Sequence, residues 1–265
     1  MARAILAGRG ALPGLLMQAG PAELVTFAGV TAAKLPRTKP IEARFERLGE
    51  MFEALRARGI TELCLAGAMT RPSFDAAALD GTTRALLPRL MMAMGRGDDG
   101  LLREVMAILE EQGFKIVAAQ DLRPDLVAEA GNLVSSPSPA QLKDAERGRA
   151  VLAALAPLDV GQSAVVARGQ LLGIETLQGT DAMLAFVVAT AKPITKDAGG
   201  VLIKRPKAGQ DLRVDVPVIG PKTIAAAAEA GLKGIEIAAG SVLLLDRAKV
   251  IAAAQTMGLA LWAAP

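Results

Sequence analysis

The segment Gln210–Pro217 carries the charged residues best suited to chemistry. From Asp211 onward charged and apolar residues alternate, and the period of a β-strand would place Asp211, Arg213 and Asp215 on one face. Successive side chains on that face would lie about 7 Å apart. Two carboxylates that flank an arginine, preceded by Lys204, Arg205 and Lys207, suit a Mg²⁺–diphosphate site. A solvent-facing charged strand has the same pattern, and spacing alone slightly favours that alternative.

A second candidate is the glycine turn that joins a predicted strand to a predicted helix in residues 175–184. The strand carries Glu175, and Thr180 or Asp181 stands where the helix N-cap is expected. The functional interpretation is a helix N-terminus with the Glu175 and Asp181 carboxylates at one pocket. The structural interpretation is simple capping.

A third candidate is the loop Gly8–Pro13, between a predicted first strand and a helix. Gly8 and Gly10 would let backbone N–H groups approach a phosphate. An NAD site is not expected, because Pro13 replaces the third glycine of the dinucleotide fingerprint and no acidic residue ends the second strand. A phosphate loop and a tight turn with proline in the first helical turn are left equally open.

Two further segments allow functional interpretations that the sequence alone does not favour. Arg71, in the turn Gly67–Pro72 after the third strand, is suited to a phosphate or to uracil, although a surface arginine is the simpler interpretation. The methionine-rich stretch Leu90–Met94 suits acyl chains, although an ordinary buried helix is favoured.

The composition excludes several classes of site. The chain has no histidine and no tyrosine, so a Ser-His-Asp triad and a His-ligated metal are excluded. Its single cysteine, Cys64, lies in an apolar run and predicts a buried inert thiol. Aromatic residues make up only 3% and the net charge of +3 is spread along the chain, so no nucleic-acid partner is expected. Catalysis would have to use Asp, Glu, Lys, Arg, Ser or Thr side chains, with Mg²⁺ on carboxylates as the expected hard cation.

The sequence pattern predicts a cytoplasmic protein. No apolar run reaches the roughly 18 residues that span a bilayer, and the N-terminal apolar stretch is too short for a signal peptide. The apolar content of 52% is high enough to allow peripheral contact with the inner membrane.

Strands alternate with helices through the first half of the chain, which predicts an α/β fold with a Rossmann-like N-terminal domain and a parallel sheet. Residues 132–139, with two prolines and three serines, predict a linker. The predicted domains are therefore 1–131 and 140–265, the second a mixed α+β domain with a hairpin near residues 163–175.

Several motifs occur together in the order of one family. The sequence resembles UDP-2,3-diacylglucosamine pyrophosphatases of the LpxI type, which act in lipid A synthesis. The resemblance is carried by short stretches along nearly the whole chain, at residues 7–13, 70–72, 96–99, 159–162, 178–183 and 210–217. The last two stretches are specific, whereas each of the others alone is weak.

The resemblance implies two domains with a site between them, and a Mg²⁺-dependent hydrolysis of UDP-2,3-diacylglucosamine to UMP and lipid X. It places the essential aspartate on Asp215, which we expect to be a metal ligand or a water-orienting base. We expect Asp211 to support it and Glu175 to help hold the metal. Arg9, Ala68 and Ala208 depart from the usual pattern. The expected partners are the lipid-linked UDP-sugar, the membrane surface and, left open, a second copy in a homodimer. The substrate contacts are expected at Gly8, Gly10, Leu12, Thr70, Arg71, Gln162, Thr180, Asp181, Lys204 and Arg213.

Two other functions are weighed against this one. A non-catalytic Rossmann-like protein would bind the nucleotide or lipid without releasing UMP. An oxidoreductase is the weaker alternative, because the acidic partner of the ribose is missing.

Overall fold

The structure is a computed structural model that describes residues 2–33, 35–36, 38–69, 74–95, 97–191, 194 and 199–265. The chain divides into two compact units. The first contains Met1–Pro124 and Asp211–Asp215, and the second contains Asp125–Gln210 and Val216–Pro265. The first unit therefore includes five residues from the later half of the sequence. The predicted domain bounds assign these five residues to the second domain.

The first unit is built on a parallel five-stranded sheet in the order β3-β2-β1-β4-β5. The central strand β1 has a nearly continuous apolar sequence, as expected for a strand covered on both faces. This topology confirms the predicted α/β fold and the Rossmann-like first domain. The strands are β1 (Ala2–Ala7), β2 (Glu23–Phe27), β3 (Ile41–Ala43), β4 (Ile60–Ala66) and β5 (Lys115–Ile116).

Most helices of the first unit contact this sheet, whereas the third packs mainly against the second and the fourth. They are α1 (Leu12–Leu16), α2 (Leu48–Ala57), α3 (Gly81–Met94), α4 (Asp98–Glu111) and α5 (Ala119–Leu122). Helix α2 buries Met51, Phe52 and Leu55, and it ends before Gly59, whose φ of +66° is the left-handed conformation expected there. The favoured interpretation of the methionine-rich stretch is wrong in part, because Met91 and Met92 on α3 are exposed.

The second unit is built on a mixed six-stranded sheet in the order β6-β13-β11-β9-β7-β8, beside a two-stranded pair, β10-β12. Strands β9, β11 and β13 are parallel, while β7 is antiparallel to both β8 and β9. The predicted hairpin is confirmed. The strands are β6 (Gly131–Asn132), β7 (Ser163–Ala167), β8 (Gln170–Ile174), β9 (Val201–Lys204), β10 (Val218–Ile219), β11 (Gly234–Ala238), β12 (Leu243–Leu244) and β13 (Ala260–Ala264).

Four helices complete the described part of the second unit: α6 (Pro139–Leu155), α7 (Gly179–Thr190), α8 (Pro221–Glu229) and α9 (Arg247–Thr256). Short 3-10 helices span Pro124–Leu126 and Ala156–Leu158. Asn132, in the predicted linker, pairs with Trp262 on β13, and Ser138 caps α6. Among the described helices, none is both long and apolar enough to cross a membrane.

Each unit contains its own reporter of unfolding. Cys64 lies fully buried on β4, and burial raises its thiol pKa to about 12. Trp262, the only tryptophan, is 4% exposed, and its Nε1 donates to Glu236 at 2.9 Å. The two side chains therefore report on different units.

We expect Cys64 to react with a thiol reagent only when the first unit opens, because a buried thiol at neutral pH is neither accessible nor ionised. Denaturant titrations followed by Cys64 labelling and by Trp262 fluorescence would measure the two units separately. Rapid labelling of the native protein at pH 7 would contradict this expectation.

Candidate functional site

The glycine loop after β1 is packed directly against the loop after β4. The N–H groups of Gly8 and Arg9 donate to the carbonyl oxygens of Ala66 and Ala68, each at 2.7 Å. A Cβ on Gly8 would lie 2.5 Å from the Gly67 carbonyl oxygen. Gly8 is therefore explained by close backbone packing, and its N–H is already used within the unit.

Gly10 has a different environment in the same loop. Its φ of +101° favours glycine, and a Cβ built there would meet nothing within 4 Å. Leu12 begins α1 and its side chain is 8% exposed, with Pro13 in the first helical turn as the structural alternative predicted. Gly10 is thus the open position of the loop, whereas the Leu12 side chain belongs to the core.

The prediction of a charged strand over residues 211–215 is wrong. These residues form a turn, in which the N–H groups of Val214 and Asp215 both donate to the Asp211 carbonyl oxygen. The Asp211 side chain also accepts the N–H of Arg213 at 3.0 Å, as in an Asx turn. The alternation of polar and apolar residues therefore does not mark the two faces of a strand here.

Asp211 and Arg213 form a tight ion pair within this turn. Arg213 donates from Nε and Nη2 to the Asp211 carboxylate, at 3.0 and 2.7 Å, and from Nη1 to Glu110 on α4 at 2.8 Å. The hydrogen bonds from Arg213 lower the pKa of Asp211 below its usual range. Asp211 is thereby held as a carboxylate whose oxygens are engaged in shaping the turn.

The turn is anchored at the carboxyl-end edge of the first sheet. Gln120, shortly after β5, donates from Nε2 to the Leu212 carbonyl oxygen at 3.0 Å, and Val214 packs against the core of the unit. Strands β1, β4 and β5 are parallel neighbours, so their carboxyl ends share this edge. Ligands of open α/β sheets bind at such edges, where the strand order reverses. The structure therefore brings the Asp215 turn and the Gly10 loop to one edge of the first unit.

The second unit contains a buried charged cluster around Lys204. Lys204 and Glu175 are 3% and 7% exposed, and Ser163 is fully buried. The Lys204 Nζ lies 3.3 Å from Glu175 Oε2 and 3.0 Å from Ser163 Oγ. Thr180 Oγ1 lies 2.5 Å from the same Nζ and 2.8 Å from Glu175 Oε2. Three predicted site residues, Glu175, Thr180 and Lys204, thus meet and are hydrogen-bonded to one another.

Gln162 lies beside this cluster, and its carbonyl oxygen accepts the N–H of Arg205 at 2.9 Å. Its side-chain Oε1 is buried and has no hydrogen-bond partner among the described residues. Gly161, with a φ of +68°, passes so close to Glu175 that a Cβ would lie 2.4 Å from the Glu175 carbonyl oxygen. This packing explains the glycine of the 159–162 motif.

Thr180 and Asp181 do not cap α7 as predicted. The N-cap position belongs to Gln178, whose side chain makes no capping hydrogen bond. Thr180 and Asp181 lie in the first turn, where Thr180 points into the Lys204 cluster and Asp181 is exposed. Of the two, Asp181 is the one available to a ligand.

An apolar groove opens between β8 and α7, next to this turn. Its cavity has a volume of about 460 Å³. Thr176 and Gln178 are among the residues that line it. Its apolar surface includes Leu171, which is 43% exposed, and Phe186, which is 57% exposed. The groove thus joins a polar turn to an exposed apolar surface within one unit.

The two carboxylates proposed as metal ligands differ in burial. Glu175 is buried and bound to Lys204 and Thr180, whereas Asp215 is half-buried at the end of its turn. Within the described ranges, no three acidic side chains converge on one point. Mg²⁺ commonly binds proteins through one or two carboxylates together with substrate phosphates, so Asp215 with a diphosphate fits this ion better than Glu175 does.

Two predicted substrate contacts lie outside the described residues, and two residues at the site were not identified from the sequence. Thr70 and Arg71 lie outside the described residues. Gln120 on α5 and Glu110 on α4 hold the Asp215 turn, and only the polar character of Gln120 shortly after β5 could have signalled its role.

The comparisons with known proteins cover both units. The model of the LpxI N-terminal domain matches residues 2–126, and the model of the LpxI C-terminal domain matches residues 129–262. A curated protein of Caulobacter vibrioides, named UDP-2,3-diacylglucosamine pyrophosphatase LpxI, is 39% identical over 264 residues. That alignment covers 96% of this chain and 94% of the relative.

Proposed function

This chain belongs to the LpxI family, and from that membership we propose that it hydrolyses UDP-2,3-diacylglucosamine to UMP and 2,3-diacylglucosamine 1-phosphate. The observation that carries the proposal is the 39% identity, over nearly the full length, to a relative named for this substrate. The resemblance noted in the sequence therefore agrees with the family.

We propose that water attacks the phosphorus on the sugar side of the diphosphate. A bond forms between the water oxygen and that phosphorus, and the bond from this phosphorus to the bridging oxygen breaks, so UMP leaves. Asp215 is the carboxylate that orients the water or holds Mg²⁺, and Arg213 and Asp211 keep its turn in shape. When bound, Mg²⁺ would offset the charge that develops on the phosphate oxygens.

The proposal is tested by incubating the purified protein with UDP-diacylglucosamine and Mg²⁺ in water labelled with ¹⁸O. We expect UMP to appear, with the label in the phosphate of the lipid product. Label in UMP would place the attack on the other phosphorus. Binding of the nucleotide without UMP release, under any divalent metal, would support the rival view of a non-catalytic binding protein.

We propose that the groove between β8 and α7 receives an acyl chain of this substrate. The groove is apolar, open and continuous with the Thr176–Gln178 turn, beside the α7 turn that the family resemblance assigns to the substrate. A lipid-bearing substrate also resides in a membrane, so peripheral membrane contact is part of the proposal.

Replacing Phe186 with aspartate is expected to raise KM for the diacyl substrate about tenfold, because the acyl chain loses apolar contact and meets a charge. The penalty should vanish when acetyl groups replace the acyl chains. Leu158→Asp is the matched control, since Leu158 is 70% exposed in the same unit but does not line the groove. An unchanged KM with an altered oligomeric state would instead assign this groove to a second copy in a homodimer.

A further inference from the structure

Among the described residues, three oxygen atoms of the second unit lie within hydrogen-bonding distance of the Lys204 ammonium group. An ammonium group has three N–H donors. The oxygens of Ser163, Glu175 and Thr180 lie 3.0, 3.3 and 2.5 Å from Nζ. With the residue only 3% exposed, a phosphate oxygen would have to displace one of these partners from a buried cluster.

These three described partners come from three different parts of the second unit. Ser163 is the first residue of β7 and lies opposite Lys204 in the antiparallel register. Glu175 follows β8 directly, and Thr180 lies in the first turn of α7. The cluster therefore ties the first turn of the helix to the ends of three neighbouring strands.

We propose that Lys204 is a positioning residue for the reaction rather than a ligand of the diphosphate. Together with Glu175 and Thr180 it forms a buried brace that fixes the first turn of α7, and with it the exposed Asp181, before substrate arrives. The inference rests on the proposed function, because the family resemblance is what assigns this turn to the substrate. It removes Lys204 from the predicted contacts and gives it a different role.

A buried ion pair predicts an asymmetric response to substitution. Removing one partner leaves an uncompensated charge in the interior, whereas removing both leaves none. We expect Lys204→Met to lower the Tm of the second unit, followed by Trp262 fluorescence, by roughly 10 °C. The double variant Lys204→Met with Glu175→Gln should recover most of that loss and most of kcat.

The link to α7 is tested separately through the Thr180 hydroxyl. Thr180→Val keeps the Lys204–Glu175 pair but removes the hydroxyl that joins it to the helix. We expect kcat to fall about tenfold with KM within twofold, because misplacement of the turn affects the transition state more than binding. Thr180→Ser, which restores the hydroxyl, should regain most of that kcat.

Two results would contradict the proposal that Lys204, Glu175 and Thr180 position the first turn of α7. If the double variant recovers its Tm but loses as much kcat/KM as Lys204→Met, Lys204 acts on the substrate directly. If Thr180→Val raises KM and leaves kcat unchanged, Thr180 is a binding contact rather than a link. Failure of the wild-type protein to release UMP would defeat the proposed function, and the Tm cycle would still decide whether the brace exists.

Discussion

We expect Asp215→Asn to lower kcat for UMP release by about 10³-fold and to leave the protein folded. The substitution keeps the size of the side chain and removes its charge, so it abolishes a metal ligand or a water-orienting base without opening a cavity. General acid–base catalysis commonly contributes between about 10² and 10⁴ in rate, and we expect an effect in the middle of that range. The measurement is UMP release at saturating substrate and Mg²⁺.

Asp211→Asn is the informative comparison for this experiment. Asp211 belongs to the same turn, but its carboxylate is bound by the Nε, Nη2 and backbone N–H groups of Arg213. We therefore expect a smaller loss of kcat, which arises from a loosened turn. Equal losses in the two variants would mean that the turn geometry, and not the Asp215 charge, limits the rate. Undiminished turnover in Asp215→Asn would remove this residue from the mechanism.

The lowered pKa of Asp211 determines the pH range in which Asp215→Asn and Asp211→Asn can be compared without a change in the protonation of Asp211. A carboxyl group whose folded pKa is lowered stabilises the fold above its ordinary pKa, and that contribution is lost as pH falls through the lowered value. The Asp211–Arg213 pair is therefore complete at neutral pH. Activity lost between pH 8 and pH 6 would have to come from another group.

The sequence predicted the scaffold more reliably than the roles of its charged residues. Apolar runs such as Ala4–Ala7, followed by glycine loops and amphipathic helices, were sufficient to predict the parallel sheet, although not its short edge strand β3. Local chemistry also explains the Asp211 turn, since an aspartate two residues before an N–H donor favours an Asx turn. Gly209, with a φ of +80°, and Pro217 flank it, and these breakers outweigh the alternation that suggested a strand.

The role of Lys204 was not visible in the sequence for a physical reason. Its partners Ser163, Glu175 and Thr180 lie 41, 29 and 24 residues away along the chain, and they meet only through the antiparallel register of β7 and the turn before α7. A lysine near a charged motif predicts phosphate binding equally well whether it is exposed or buried. Burial, which decides between the two, is a property of the fold.

Dialysis against EDTA is expected to reduce UMP release to the background rate, and added Mg²⁺ to restore it. The donor set supports this proposal: among the described residues Asp215 is a half-buried carboxylate at the sheet edge, and a diphosphate supplies the further oxygens that Mg²⁺ needs. Ca²⁺ should restore much less activity, because it prefers longer bonds and more ligands.

The metal proposal and the role of Asp215 are linked by one further measurement. If Asp215 holds the ion, Asp215→Asn should raise the Mg²⁺ concentration for half-maximal activity at least tenfold, in addition to lowering kcat. Glu175→Gln should leave that concentration unchanged, because Glu175 is bound to Lys204 and Thr180 inside the second unit. If Glu175→Gln raises this Mg²⁺ concentration and Asp215→Asn does not, Glu175 is the metal ligand. Asp215 would then only orient the water. Full activity after exhaustive chelation would instead require a mechanism in which the carboxylate and the cationic side chains act without an ion.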